Sequence, residues 1–517
     1  MNIAMNIAMN IAMNIARREN YNKTAVPRAL KHSTSSYSMQ VCGLGAPTFN
    51  IEHPTSIFVT LTFMKLIEGF ERSRAALLQS NARRAFSNQP EIENTVREIC
   101  ESVRRDGDDA LLQLERQFDC ASLELENLRV SSQEIEDAWS STRTDVKAAL
   151  QRAADNIESF HRQQPTSDWF STSRDGVFLG QRYTPIERVG MYAPNGRAAY
   201  PSTVLMLSIP AKVANVPQIV LASPPDQNGK CNSTILAAAK VAGISEIYKI
   251  GGAGAVAALA IGTRTIPKVD KIVGPGSIYV TLAKKYLYGE VGIDGLYGPS
   301  EVMILADVSE GGVRGEGRIT RQLAPQLAAD LVAQAEHGTD SFVALVCTSS
   351  MLCAAVKMEI EVQVASSTRS AILAESLQNA FIFRVDSLDE ACAICDLAAA
   401  EHVEIWSRDA LALSAKIQHA GAIFLNTPVP LGDYIAGPSH TLPTGATARF
   451  AHGVGVETFL KRTTLVSASQ SALRVLEADL TTLAITEDLP GHARAVEIAA
   501  QERSQSASHE LDSENEN

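Results

Sequence analysis

Cysteine is scarce in this chain: eight among 517 residues, and scattered. So few, so far apart, exclude a disulfide framework and point to a reducing compartment, read here as the cytoplasm. Cys392 and Cys395 form a lone C-x-x-C inside a helical stretch, Leu388 to Ala399. With no second pair they read as buried small apolar residues rather than a redox couple. An excess of positive charge is also missing. A formal net charge of -12 disfavours a phosphate backbone or an anionic membrane as the main partner, because either needs a concentrated basic face. Nor is there a long apolar run, since Ile57 to Met64 is far too short to span a bilayer.

What is present is soluble-enzyme material suited to a small-molecule partner. With 45% hydrophobic and 20% charged residues, the chain can bury a large core and should divide into two or more domains. Residues 1-63 stand apart. Met1 to Ala16 is four copies of Met-Asn-Ile-Ala, and Arg17, Arg18, Lys23, Arg28 and Lys31 face the single acid Glu19. An unstructured or mis-assigned leader, with Met39 or Met64 as the start, is the preferred reading; a plastid or other organelle transit peptide is the alternative. The polar, acidic segment 501-517 reads as a disordered tail.

Between these ends, short apolar strands alternate with helices. Candidate strands are Arg188 to Tyr192, Ile219 to Ala222, Glu246 to Ile250, Lys271 to Val273, Val302 to Leu305, Phe342 to Cys347, Ala380 to Val385, Val403 to Trp406 and Ala422 to Leu425. Helical spacing fills Thr203 to Val216, Ser233 to Ala242 and Ser277 to Leu287, and Pro90 to Phe118 ahead of them. This alternation predicts an α/β protein with parallel sheets covered by helices on both faces, in two such units.

Glu246 to Ile250 runs into Gly251-Gly252-Ala253-Gly254-Ala255-Val256-Ala257, a G-x-G-x-x-A turn, with Asp270 at the distance of a ribose-binding acid. Such a turn lets a pyrophosphate approach the N–H groups of a helix N-terminus, but small residues serve tight strand-to-helix packing equally well. The motif alone does not decide between the two. A second constellation offers metal donors: Gln334-Ala335-Glu336-His337, Asp433 with His440 in a Gly- and Pro-punctuated loop, and Glu487 with His492. Imidazole, carboxylate and amide oxygen together suit a borderline-soft ion such as zinc. Leu327 to His337 reads as a helix stopped by Gly338, so Gln334 and His337 share a face. On chemistry alone Gln334 ranks behind Glu336 as a ligand. His161, His419, His452 and His509 lie outside any such grouping.

Taken together, Gly190 to Pro194, Arg197 to Met206, Ile293-Asp294 with Gly298-Pro299-Ser300-Glu301, Gln334 to Gly338, Glu401-His402 and Gly432 to Thr444 closely resemble the histidinol dehydrogenase family. The resemblance runs from about Met64 to Ile498. It implies a zinc-dependent, NAD-linked enzyme that oxidises L-histidinol to L-histidine through histidinal, in two hydride transfers. It also implies two incomplete Rossmann-like doubly wound domains with small helical N- and C-terminal segments, in an intertwined homodimer. The zinc ligands would be Gln334, His337, Asp433 and His492, the acid-base pair Glu401 and His402, and the substrate contacts Ser300, His440 and Glu487 beside them. Tyr192, Gly254 and Ser277 match cofactor positions. The implied domains are an arm at 64-85, an α/β domain of 86-191 and 299-445, a cofactor domain at 192-298, and a C-terminal segment, 446-500, that supplies Glu487 and His492 to the partner's site.

Departures from the family pattern cluster at the cofactor. Gly254 stands where the family has glutamine, Ser277 where it has asparagine, Tyr297 where it has a small residue, and Ala400 where it has proline. Asp307 to Gln326 is longer than usual and, with Gly311, Gly312 and Gly315, reads as an inserted surface loop. Two alternatives follow: a paralogous zinc dehydrogenase for another polar alcohol, motivated by Tyr297, and a non-catalytic paralog with a degraded NAD site, motivated by Gly254 and Ser277.

Overall fold

The computed structural model describes residues 63–84, 89–120, 122–174, 176–195, 199–309 and 312–500. The repeats, the basic leader with Met39, Arg197 and the acidic tail lie outside the described residues. The chain divides into two compact units.

The first unit takes Pro299–Cys395, Ile405–Leu413 and the described part of Met1–Ala76. Its strands Lys65–Glu68, Phe381–Arg384, Phe342–Cys347 and Glu301–Ala306 lie side by side in that order, all parallel. Every residue of Phe342–Cys347 and Glu301–Ala306 is buried, the mark of a parallel sheet covered on both faces. Helix Gly312–Ala335 packs on helix Ser350–Ser366. The expected inserted loop is therefore corrected: most of Asp307 to Gln326 is helix. Gly315 and Gly317 weaken it by roughly 1 kcal/mol each, and the buried Ala324, Leu327, Ala328 and Leu331 further along more than offset that. The N-terminal arm opens with a strand, Lys65–Glu68, before helix Phe70–Arg84.

The second unit takes Leu77–Gly298, Asp396–Glu404 and the described part of Ser414–Asn517. Its five-stranded parallel sheet runs Glu246–Tyr248, Gln218–Ala222, Arg188–Tyr192, Lys271–Val273, Gly292–Ile293. In chain order that is 3-2-1-4-5, and the order reverses between Arg188–Tyr192 and Lys271–Val273, where open α/β sheets receive ligands. Alternate residues serve opposite faces. Met191 and Leu221 join one core, with helices Thr144–His161, Pro201–Val213 and Ser233–Ala242. Tyr192, Val220 and Ala222 join the other, with helices Pro90–Asp106, Gly252–Ile261 and Ile278–Leu287. The stretch from Pro90 to Phe118 is helical as expected, in two helices that meet at Gly107 with φ +59°. A three-stranded antiparallel sheet of Trp169–Arg174, Val177–Pro185 and Leu460–Ala468 was not expected, because Leu460–Ala468 is mostly exposed and its partner lies far away in sequence. Among the described residues no helix is long and apolar enough to cross a membrane, and seven cysteines stand outside any disulfide.

Candidate active site

Strand His402–Trp406 begins in the second unit, directly after helix Leu388–Ala398 and the buried Ala399-Ala400-Glu401. Glu401 is 8% and His402 3% exposed, so both members of the pair are buried. The Glu401 carbonyl accepts the Ala422 N–H at 2.9 Å, which ties it to strand Ala422–Leu425. His402 Nδ1 lies 3.6 Å from a Glu401 carboxylate oxygen and Nε2 lies 3.4 Å from Asp433 Oδ1. Asp433 comes from the short helix Pro430–Tyr434. Gly432 has to be glycine there, because a Cβ would stand 2.7 Å from the Phe424 ring, and that ring packs on His402 at 5.9 Å between centroids. The Val429 N–H just ahead of this helix donates to buried Glu404 at 3.2 Å.

His440 joins the same group. Its Nδ1 is 2.8 Å from the Asp433 carbonyl oxygen, so that nitrogen carries the proton; Nε2 then accepts from Thr203 Oγ1 at 3.0 Å. The structure thus gathers Glu401, His402, Asp433 and His440 in one unit. Thr203 is a member that sequence reasoning named only as part of a motif.

Ser300, Gln334 and His337 belong to the first unit. Helix Gly312–Ala335 ends two residues before His337, whose N–H reaches the Gln334 carbonyl at 3.4 Å. Gly338 is not among the glycines with positive φ, so the expected glycine cap is corrected: the turn after Ala335 ends the helix instead. Gln334 is 2% exposed, and its Oε1 is buried without a hydrogen-bond partner. An orphaned amide oxygen of this kind is costly unless a ligand completes it, and amide oxygen, imidazole and carboxylate fit zinc in kind. Among the described residues no three His, Cys, Asp or Glu side chains stand together as a metal site. A glutamine oxygen, or a donor from a second copy, falls outside that kind of cluster. Glu487 caps helix Gln470–Thr486, and His492 lies in the helical segment 490–500; both are exposed.

At the cofactor positions, Tyr192 ends strand Arg188–Tyr192 and Ser277 precedes helix Ile278–Leu287, so both stand at the carboxyl ends of the strands where the sheet order reverses. The glycine-rich turn follows the tight-packing reading. The Gly251 N–H donates to Glu115 Oε1 at 2.8 Å and the Gly252 N–H to the Tyr192 hydroxyl at 3.1 Å. Gly254 faces Leu114 and Leu111, where a Cβ would sit 3.1 Å and 3.4 Å from their methyl carbons. Asp270 is no ribose acid: it accepts from the Arg188 N–H at 3.1 Å, at the amino end of the strands.

Comparison with known proteins decides the family. The sequence profile described as "Histidinol dehydrogenase" matches residues 82–500. The histidinol dehydrogenase of a Synechococcus species is 45% identical over 413 residues, 79% of this chain and 92% of that protein. The chain belongs to the histidinol dehydrogenase family. The family's member from Thermosynechococcus vestitus is 42% identical over 441 residues, covering 85% of this chain and all of that one. The crystal structure of the histidinol dehydrogenase from Elizabethkingia anophelis superposes with a TM-score of 0.78 at 33% identity, over 86% of this chain and 99% of that one. Membership makes the chain an oxidoreductase of α/β fold.

Proposed function

We propose that this chain oxidises L-histidinol to L-histidine through histidinal, with NAD as hydride acceptor and one zinc ion per subunit, in the cytoplasm. The observation that carries the reading is the buried Glu401–His402 pair with Asp433 against the imidazole, in a member of this family. Gln334, His337, Asp433 and His492 would hold the metal, which when bound supplies a fixed point for the substrate's amine and imidazole beside the nicotinamide.

The rest is done by this chain's own side chains. Glu401 lies at Nδ1 and Asp433 at Nε2 of His402, and the imidazole takes the alcohol proton as hydride departs. Glu401 then takes a proton from water attacking the aldehyde, giving the hydrate that loses the second hydride. Ser300, His440 and Glu487 orient the substrate; His440 is already set in one tautomer by the Asp433 carbonyl and Thr203. Tyr192 and Ser277 receive NAD at the strand ends. Glu487 and His492 serve the site of a second copy in a homodimer. Exposed Val475, Leu480, Leu483, Ile485 and Leu489 along the same C-terminal segment support that, since this many large apolar side chains left in water on one segment call for a partner.

Gly254 favours one qualification of affinity: it has no side chain where the family has glutamine, so NAD loses one polar contact and binds more weakly. The test is NADH formation from L-histidinol by the zinc-loaded protein, two NADH per substrate, with His402→Ala as control. No NADH from L-histidinol, with turnover of another polar alcohol, rejects the substrate; no NADH from any alcohol rejects the enzyme reading.

A further inference from the structure

Lys284 and Asp294 form an ion pair with both side chains 1% exposed, Nζ to Oδ1 2.5 Å. A buried pair of this kind is a poor source of stability, since apolar residues of like volume serve as well. What it supplies here is directional. The Gly274 N–H donates to Asp294 Oδ2 at 2.7 Å, and the Gly274 carbonyl accepts from Lys284 Nζ at 3.0 Å. Both polar groups of one residue are therefore gripped by the two halves of one ion pair. Asp294 Oδ1 also accepts the Gly295 N–H at 2.8 Å.

The gripped residue is unusual in its own right. Gly274 has φ +115°, and a Cβ there would run into the Tyr192 carbonyl oxygen. It opens the turn Gly274-Pro275-Gly276-Ser277, between strand Lys271–Val273 and helix Ile278–Leu287, at the point where the sheet order reverses. Tyr297 closes the arrangement from above: its ring lies 4.7 Å from Lys284 Nζ, and its carbonyl accepts from Thr281 Oγ1 at 2.6 Å. Burial, then the Asp294 carboxylate and Glu401, hold the phenol neutral, well above its ordinary range. Lys271 is the other cation near Asp294. Tyr297, which departs from the family's small residue, thus serves as the roof over a buried ammonium.

We propose that Lys284 and Asp294, roofed by Tyr297, are positioning residues for the dinucleotide: they hold the Gly274–Ser277 turn in the shape that receives it. This rests on the NAD reading of the strand ends given above, and not on which alcohol is oxidised. Pro275 fixes one φ of the turn, but the glycines on either side of it leave the rest of its shape open. The clamp imposes it before the cofactor arrives, so less ordering is left for binding to supply.

The experiment titrates NAD calorimetrically into the zinc-loaded full chain without substrate, and follows backbone hydrogen exchange over residues 274–277 in the same proteins. Tyr297→Leu is expected to weaken NAD binding about tenfold and to speed exchange at the Gly274 amide, while Tyr297→Phe, which keeps a ring over the ammonium, stays within about twofold of wild type. Asp294→Asn, which keeps an oxygen for the Gly274 N–H but removes the charge, is the second variant and weakens NAD binding as well. In turnover the KM for NAD rises and kcat at saturating NAD holds. Unchanged NAD affinity in both Tyr297→Leu and Asp294→Asn, or a fall in kcat with KM unmoved, overturns the proposal. Weakened NAD binding in a protein inactive on L-histidinol would reject the substrate and leave the clamp standing.

Discussion

Replacing Glu115 by glutamine is expected to stabilise the protein at neutral pH, by an amount that grows with pH. Glu115 is 1% exposed on helix Asp108–Phe118, and its Oε1 accepts the Gly251 N–H at 2.8 Å. Burial pushes its carboxyl well above the ordinary value of 4.5; the Gly251 N–H opposes this and the Asp119 carboxyl adds to it. The folded pKa is raised, so the stability Glu115 contributes is fully present below 4.5 and is lost as pH climbs through the folded value. In that window the native state holds one proton more than the unfolded state, and stability falls by about 1.4 kcal/mol per pH unit. Glutamine keeps an oxygen for the Gly251 N–H, offers an amide N–H toward Asp119, and has no proton to lose. Asp119, raised by burial and held back by its hydrogen bond with Glu115, is present in both proteins and titrates in the same sense. Urea unfolding of wild type and Glu115→Gln from about pH 5 to about pH 8 therefore gives a difference that widens with pH by up to about 1.4 kcal/mol per unit. A flat difference, or a wild type that gains on the variant as pH rises, refutes the reasoning.

His402→Ala should lower kcat on L-histidinol by about 10² to 10⁴, measured as NADH formation, with NAD affinity unchanged in calorimetric titration. Gln334→Met removes a buried oxygen that has no partner; metal-free protein should unfold at equal or higher urea, by about 1 kcal/mol, while zinc uptake against a competing chelator falls. Gly274→Ala should cost about 2 kcal/mol or more in urea unfolding, because φ +115° and the Tyr192 carbonyl leave no place for a methyl group.

Buried parallel strands are read easily because burial on both faces makes them continuous apolar runs. Arg188–Tyr192, Lys271–Val273 and Phe342–Cys347 match their expected bounds residue for residue. Leu460–Ala468 escaped notice because a mostly exposed edge strand that includes Lys461, Arg462, Thr463 and Thr464 carries no such run. The long helix through Gly312, Gly315 and Gly317 escaped for the opposite reason, since local propensity argued against a helix that packing with Ser350–Ser366 supports. At the site, Glu401-His402 stood out only through the family pattern; as an isolated dipeptide it reads as a polar helix end.

Residue type, spacing and order along the chain were enough to determine the α/β class and the family, and to nominate the side chains proposed above as zinc and NAD contacts. Those properties are written in one dimension. Tertiary structure alone decided that Glu115 and Tyr192 occupy the N–H groups of the glycine-rich turn, that Asp270 stands at the wrong end of its strand, and that Lys284 and Asp294 grip Gly274. Hydrogen bonds form between groups brought within about 3 Å by folding, and sequence distance says nothing about which buried donor a distant carboxylate will meet.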